Sequence, residues 1–331
     1  MISNAPNTLA FCTKNNKVHL FDVQSNWTTA IQGITCSSGI ATNTHIKEVP
    51  GSSLLISLNQ IEGRAANFEL LSASEGRIKP IFTHGEIRGN VGFDSISYNP
   101  KRRLLAVISD RPKTRYHLFE ISENQIDSQV PLLHRGKWHS EQNPQNKMCG
   151  MDISPDSKLI ATINNAGTCL ISDIDTQAYI YHKSMGTVAE YYCLCKWSLV
   201  SGSPILFARY SYNRLNMLDV EKKKVLLQNS IRLEDVSTSF TKWIDICPND
   251  PNLVAAGGFE GYIRVFDIRT GAIVKKKELH RVVNCVRWDQ AGKTLATCSD
   301  DRTVKVTDFG AEKVMAETST GDEVKSVCFL G

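Results

Sequence analysis

His280-Arg-Val-Val-Asn-Cys-Val-Arg-Trp288 alternates apolar and polar residues, the period of a β-strand. Asp289-Gln-Ala-Gly292 supplies turn residues, and Lys293-Thr-Leu-Ala-Thr-Cys-Ser299 reads as a second strand. Asp300-Asp-Arg302 turns the chain again; Thr303-Val-Lys-Val-Thr-Asp308 is a third strand and Lys313-Val-Met-Ala-Glu-Thr318 a fourth. Four short antiparallel strands in about 40 residues cannot bury their own apolar faces, so this unit is expected to recur.

It does recur. Third strands end at Phe21-Asp22, Phe68-Glu69, Phe119-Glu120, Ser172-Asp173, Leu218-Asp219, Phe266-Asp267 and Thr307-Asp308, with an acid second in every pair and spacings of 41 to 53 residues. Six residues before the first member of the pair, the turn carries Asn15, Glu62, Glu260 and Asp301 in four of the units. Gly92–Pro100, Gly150–Asp156 and Trp243–Asn249 alternate as first strands; Leu104–Ile108, Leu159–Ile163 and Leu253–Gly257 follow them as second strands. No stretch keeps a 3.6-residue period for three turns, so helices are not expected. The chain starts out of phase. Asn7–Thr13 reads as a second strand with no first strand before it, and Glu323–Leu330 as a first strand with nothing after it.

The unit at 280–318 resembles a WD repeat. The family pattern has a His before the first strand, an Asp at the second turn and Trp-Asp ending the third strand. His280 and Asp301 match, and Thr307-Asp308 stands in place of Trp-Asp. The resemblance implies a buried hydrogen-bonded chain of His, strand hydroxyl, Asp and Trp. Thr297 or Ser299 offers the hydroxyl; Thr307 keeps hydrogen-bonding capacity but lacks the indole's bulk, so a weakened network is expected. The fold implied is all-β: a single seven-bladed β-propeller of four-stranded antiparallel blades, one domain over 1–331. Blades are expected near 324–331 plus 7–32, 43–84, 91–133, 148–185, 190–231, 240–278 and 280–319. The C-terminal strand would pair into the N-terminal blade, and such closure removes free sheet edges.

Composition narrows the function. Of the 331 residues, 41% are hydrophobic and 22% charged, which is ordinary for a globular protein, and a net charge of +4 gives no electrostatic case for RNA, DNA or anionic lipid. The ten cysteines contain no Cys-x-x-Cys pair and no nearby His pair at zinc spacing. They read as reduced core residues, which favours a reducing compartment. Met1–Pro6 has no basic segment followed by an apolar stretch, so an intracellular protein, cytoplasmic or nuclear, is expected. No nucleophile elbow or phosphate-binding loop occurs, so no catalytic, cofactor or metal residues are assigned and no enzyme is expected. Lys101–Arg103, Glu221–Lys224 and Lys275–Lys277 read as solvated edge protection.

The resemblance implies a protein–protein interaction scaffold, a monomeric propeller within a hetero-complex. Its narrow face would present Arg64, Arg88, Tyr210, Tyr212, Phe259, Tyr262, Arg281 and Arg302; Tyr and Arg are enriched among binding hot spots. The polar stretch 134–147, with Trp138, is a further candidate contact. Val254–Arg269 also resembles the box by which substrate receptors dock onto cullin-type ubiquitin ligases. Asp267 and Arg269 match that box, and Phe266 replaces its Trp.

Overall fold

The computed structural model describes residues 241–330 without interruption. Before them it describes 8–15, 17–24, 27–29, 41–49, 54–61, 66–74, 77–87, 96–111, 114–121, 126–127, 148–164, 168–176, 178–184, 194–200, 203–211, 214–220, 224–225 and 231–232. Among these residues all regular structure is β-strand, and no helix is long and apolar enough to cross a membrane.

The strands are β1 (Thr8–Thr13), β2 (Val18–Asp22) and β3 (Trp27–Thr29), then β4 (Ala41–Glu48), β5 (Leu54–Ile61), β6 (Ala66–Ser74) and β7 (Arg77–Ile87). Next come β8 (Ile96–Asn99), β9 (Leu104–Arg111), β10 (Thr114–Ile121) and β11 (Ile126–Asp127), and β12 (Met148–Ile153), β13 (Leu159–Asn164), β14 (Thr168–Asp173) and β15 (Tyr179–Ser184). They are followed by β16 (Leu194–Val200), β17 (Ser203–Ser211), β18 (Arg214–Asp219), β19 (Lys224–Val225) and β20 (Ile231–Arg232). The last are β21 (Thr241–Ile246), β22 (Leu253–Gly258), β23 (Tyr262–Asp267) and β24 (Ala272–Glu278), then β25 (Val283–Trp288), β26 (Thr294–Ser299), β27 (Thr303–Asp308), β28 (Lys313–Ser319) and β29 (Val324–Leu330).

Consecutive strands pair as antiparallel meanders in seven sheets among the described residues, and β20 adds a short fifth strand to β16–β19. One sheet is composite. Its order is β29-β1-β2-β3, with Leu9 opposite Phe329 and Phe11 opposite Val327. The out-of-phase ends expected from the sequence therefore meet in one sheet.

The chain divides into two units. Unit 1 comprises Met1–Gly85 and Ser239–Gly331; unit 2 is Glu86–Thr238. In unit 1 the first strands pack in the series β21, β25, β29, β4, and His45 of β4 still reaches Trp243 of β21, their rings 6.5 Å apart. In unit 2 the series is β8, β12, β16. Inner strands are apolar on both faces. Leu295, Ala296, Cys298, Val304 and Val306 are buried in one sheet, and Leu9 to Cys12 in another. Cys12, Cys169, Cys195, Cys247, Cys285, Cys298 and Cys328 are buried and form no disulfide.

Neighbouring sheets are latched by a carboxylate at a fixed place in the first strand. Asp152 Oδ2 accepts the Trp197 backbone N–H at 2.9 Å, and its Oδ1 accepts the Ser97 hydroxyl at 2.5 Å. Asp245 Oδ2 likewise accepts the Trp288 N–H at 2.8 Å. A charged acceptor on a backbone donor is stronger than a neutral pair, so each latch ties one sheet's register to the next.

Two readings change. The third strands were expected to end at their acids. Strands β2, β14, β18, β23 and β27 do, but β6 runs five residues beyond Glu69 and β10 one beyond Glu120. The five that stop carry Asp; the two that continue carry Glu. An Asp carboxylate folds back on the backbone just ahead. Asp22 accepts the Gln24 N–H, Asp173 that of Thr176, Asp267 that of Arg269 and Asp308 that of Ala311. Secondly, Lys275 and Lys277 are not simply solvated. Lys275 bonds the Phe309 and Gly310 carbonyls and pairs with Glu312, and Lys277 bonds the Glu312 carbonyl, so both strap β24 to the β27–β28 turn.

Candidate functional site

The β22–β23 and β26–β27 turns, the β24–β25 and β28–β29 connections and the β1–β2 turn lie at one end of unit 1's strands. Gly261 sets the geometry there. Its φ is +75°, and a Cβ would lie 1.9 Å from the His280 carbonyl oxygen. Only glycine lets the β24–β25 connection come so close, and the Leu279 and His280 N–H groups both donate to the Gly261 carbonyl.

That contact delivers His280 into the sheet. Its side chain is fully buried; Nδ1 lies 3.0 Å from Asp301 Oδ2, and Nε2 lies 2.8 Å from Thr297 Oγ1. Burial lowers the imidazole pKa more than the Asp301 charge raises it, so the ring is neutral at neutral pH. Nδ1–H then donates to Asp301, and the Thr297 hydroxyl donates to Nε2. Burial works to raise the Asp301 carboxyl, yet the Thr303 hydroxyl at 2.6 Å and its neighbour His280 hold it below the usual carboxylate range. Asp301 also accepts the Arg281 backbone N–H at 3.3 Å. Thr297, rather than Ser299, is thus the strand hydroxyl; Ser299 instead accepts the Asp301 N–H.

Thr307 does not act as expected. Its hydroxyl is buried without a hydrogen-bond partner among the described residues, so the network stops at Thr297. Beside Thr307 lies a cavity of about 30 Å³ lined by Val265, Leu279, Leu295, Thr307 and Phe309, with Lys275 and Lys277 over it. Phe309 packs edge-on to Trp288, ring centroids 5.0 Å apart.

A second cluster had escaped the sequence reading. Lys242, Asn284 and Lys325 each stand one residue into a first strand, at equivalent places in three successive sheets. They converge on Asp300. Asn284 donates to it at 2.6 Å, Lys325 lies at 2.6 Å and Lys242 at 3.7 Å. Burial would raise the Asp300 carboxyl, but these hydrogen bonds and charges outweigh it and depress it. Lys242, lowered by its own burial, also sits 4.5 Å above the ring of Phe259, which is 41% exposed. In an alternating strand a lysine reads as outward; only the repeat phase places all three on one acid.

Phe259, Arg281 and Arg302 lie at this end, with Arg302 held at φ +72° on the tip of its turn. Tyr262 belongs to β23 and faces the outer strand instead. Lys276 is 4.8 Å above its ring, and Glu278 accepts its hydroxyl. Arg64, Arg88, Tyr212, Trp138 and the 134–147 stretch lie outside the described residues, as does the side chain of Tyr210. Asp267 and Arg269 sit at the opposite strand ends, in the β23–β24 turn. Arg269 is 62% exposed, and its guanidinium forks onto Asp267 at 2.6 and 3.0 Å. No group of His, Cys, Asp and Glu able to hold a metal ion occurs among the described residues.

Repeated four-stranded meanders, with a His–Asp–Thr bonded turn in the β25–β28 sheet, define a β-repeat architecture. Residues 272–308 match the model of the WD domain, G-beta repeat family, so this part of the chain carries a WD repeat. The match spans β24 to β27, so one sequence repeat joins the outer strand of one sheet to three strands of the next. No curated protein matches the chain.

Proposed function

We propose that this chain is a seven-bladed propeller serving as a non-enzymatic interaction scaffold, docking a partner protein on the turn end of unit 1. The seven sheets built on four-stranded meanders, the β29–β1 pairing and the approach of His45 to Trp243 across two intervening sheets support the ring. The observation that carries the docking reading is Phe259. A large aromatic is left 41% exposed on a turn otherwise fixed by Gly261 and by buried polar contacts. A rigid exposed aromatic beside cations is hot-spot chemistry, and its ordering entropy is already spent in the fold. Receptor docking through Asp267-Ile268-Arg269 has weaker support, since Asp267 already satisfies Arg269.

The test is quantitative affinity purification of the tagged full chain against Phe259→Ala, with circular dichroism to check folding. Proteins enriched on wild type should fall at least fivefold on the folded variant. Equal capture by both would remove this end as the docking surface.

A further inference from the structure

Cys285 and Cys298 stand directly opposite each other on β25 and β26. Opposed residues of an antiparallel pair lie roughly 4.5–5.5 Å apart at Cα, inside the roughly 4.4–6.8 Å that a disulfide spans. The other buried cysteines described on strands face no second cysteine. Cys12 is opposite Val18 and Ser326, Cys169 opposite Ile163 and Lys183, Cys195 opposite Ala208, and Cys328 opposite Ala10. Cys285 and Cys298 are both fully buried, and β25 and β26 both pack against the closing strand β29.

The two thiols form a short relay to that strand. Cys298 donates to Cys285, and the Cys285 thiol donates to the Val327 carbonyl on β29 at 3.7 Å. Burial opposes ionisation of Cys285, but the Cys298 hydrogen bond and the Arg287 charge outweigh it and depress the thiol. Burial and the bond to Cys285 push the Cys298 thiol up. The pair is therefore unequal. Cys285 is the sulfur disposed to ionise and attack, and Cys298 is the protonated partner that resolves. With both sulfurs covered, a solute reaches them when β29 lifts from β25 and β26.

We propose that Cys285 and Cys298 are a reversible redox pair beneath the closing strand, oxidised to a disulfide by a hydroperoxide when β29 lifts. The Cys285 thiolate attacks a peroxide oxygen and the O–O bond breaks. Cys285 becomes a sulfenic acid, and the alcohol (water, from hydrogen peroxide) leaves with the thiol's proton. The Cys298 sulfur then displaces the sulfenic hydroxyl, which departs as water with the Cys298 proton. Two thiols and one hydroperoxide thus become one disulfide, one alcohol and one water. The product holds neither S–H, so the tie from Cys285 to Val327 is lost and β29 re-seats more weakly. A thiol reductant restores both protons and the tie.

The test treats the reduced full chain with hydrogen peroxide and maps its peptides by mass without reductant. A Cys285–Cys298 link should form and vanish with dithiothreitol. Amide hydrogen exchange over Val324–Leu330 should then run roughly threefold faster in the linked protein. Phe329→Ala, which loosens β29, should speed linkage roughly tenfold or more. Cys298→Ser should leave Cys285 as a sulfenic acid that dimedone labels, whereas Cys285→Ser should leave Cys298 unlabelled. The idea is overturned if peroxide that oxidises the urea-unfolded chain leaves the folded pair reduced, or if either sulfur links elsewhere. Unchanged exchange in β29 after linkage would overturn it too, as would a linkage rate indifferent to Phe329→Ala. The mapping and exchange arms use wild type alone, so they decide even where a cysteine variant does not fold.

Discussion

Gly261 and the strand-end acids show how much rests on single residues. A Cβ at 261 meets the His280 carbonyl at 1.9 Å on a backbone at φ +75°, so two penalties coincide. Gly261→Ala should destabilise the protein by about 2–4 kcal/mol, measured by urea denaturation, because His280 cannot back away without leaving Asp301 and Thr297. A loss below about 0.5 kcal/mol would mean that the connection tolerates displacement. The acids explain what the sequence made legible. Asp22, Asp173, Asp267 and Asp308 mark strand ends because their short carboxylates reach the N–H two or three residues on. Glu69 and Glu120 look alike in a repeat pattern but are one methylene too long for that turn, and their strands run past them. Thr307 misled for the opposite reason. Its chemistry suggests a hydrogen bond, but nothing in sequence reports that its surroundings are an apolar hollow.

First strands carry the next level of organisation, since their polar residues bind sheets together rather than face water. On β4, burial pushes the Glu48 carboxyl up to about 7, with Arg287 and Lys47 opposing and Asp245 adding to the effect. Burial, aided by the charges of Arg287 and Lys325, takes His45 on the same strand down to about 4. Between pH 4.5 and 7 the folded chain keeps a proton on Glu48 that the unfolded chain has released, so this group's contribution to stability falls as pH rises. Between about 4 and 6.5 the unfolded chain protonates His45 while the folded chain does not, so that contribution rises with pH. The two slopes oppose each other over most of their range. In Glu48→Gln the first is gone; the stability of the variant relative to wild type should grow from pH 4.5 to 7 and then level off, as followed by urea midpoints. A difference independent of pH would place Glu48 in an ordinary aqueous environment. These groups were not legible in the sequence, where Glu48 and Lys325 read as outward residues of alternating strands.

At the scale of the whole chain, the composite sheet joins the two ends. Strand β29 buries Val324, Val327, Cys328 and Phe329 and covers one edge of β1, whose other edge holds β2. Deleting Val324–Gly331 would bare that edge and the apolar face of Leu9 and Phe11. The truncated protein should aggregate or elute as an expanded species on size exclusion; a soluble, compact product with the wild-type melting temperature would refute this. The same pairing sets a timetable for synthesis. Asn15 and its partner Asp322 are 307 residues apart. At about 5–20 residues per second, β1 leaves the ribosome roughly 15–60 s before the strand that pairs with it exists. During that interval a highly apolar strand has one unmet edge in a crowded cell. Folding of the later sheets can proceed locally, but the first one finishes last.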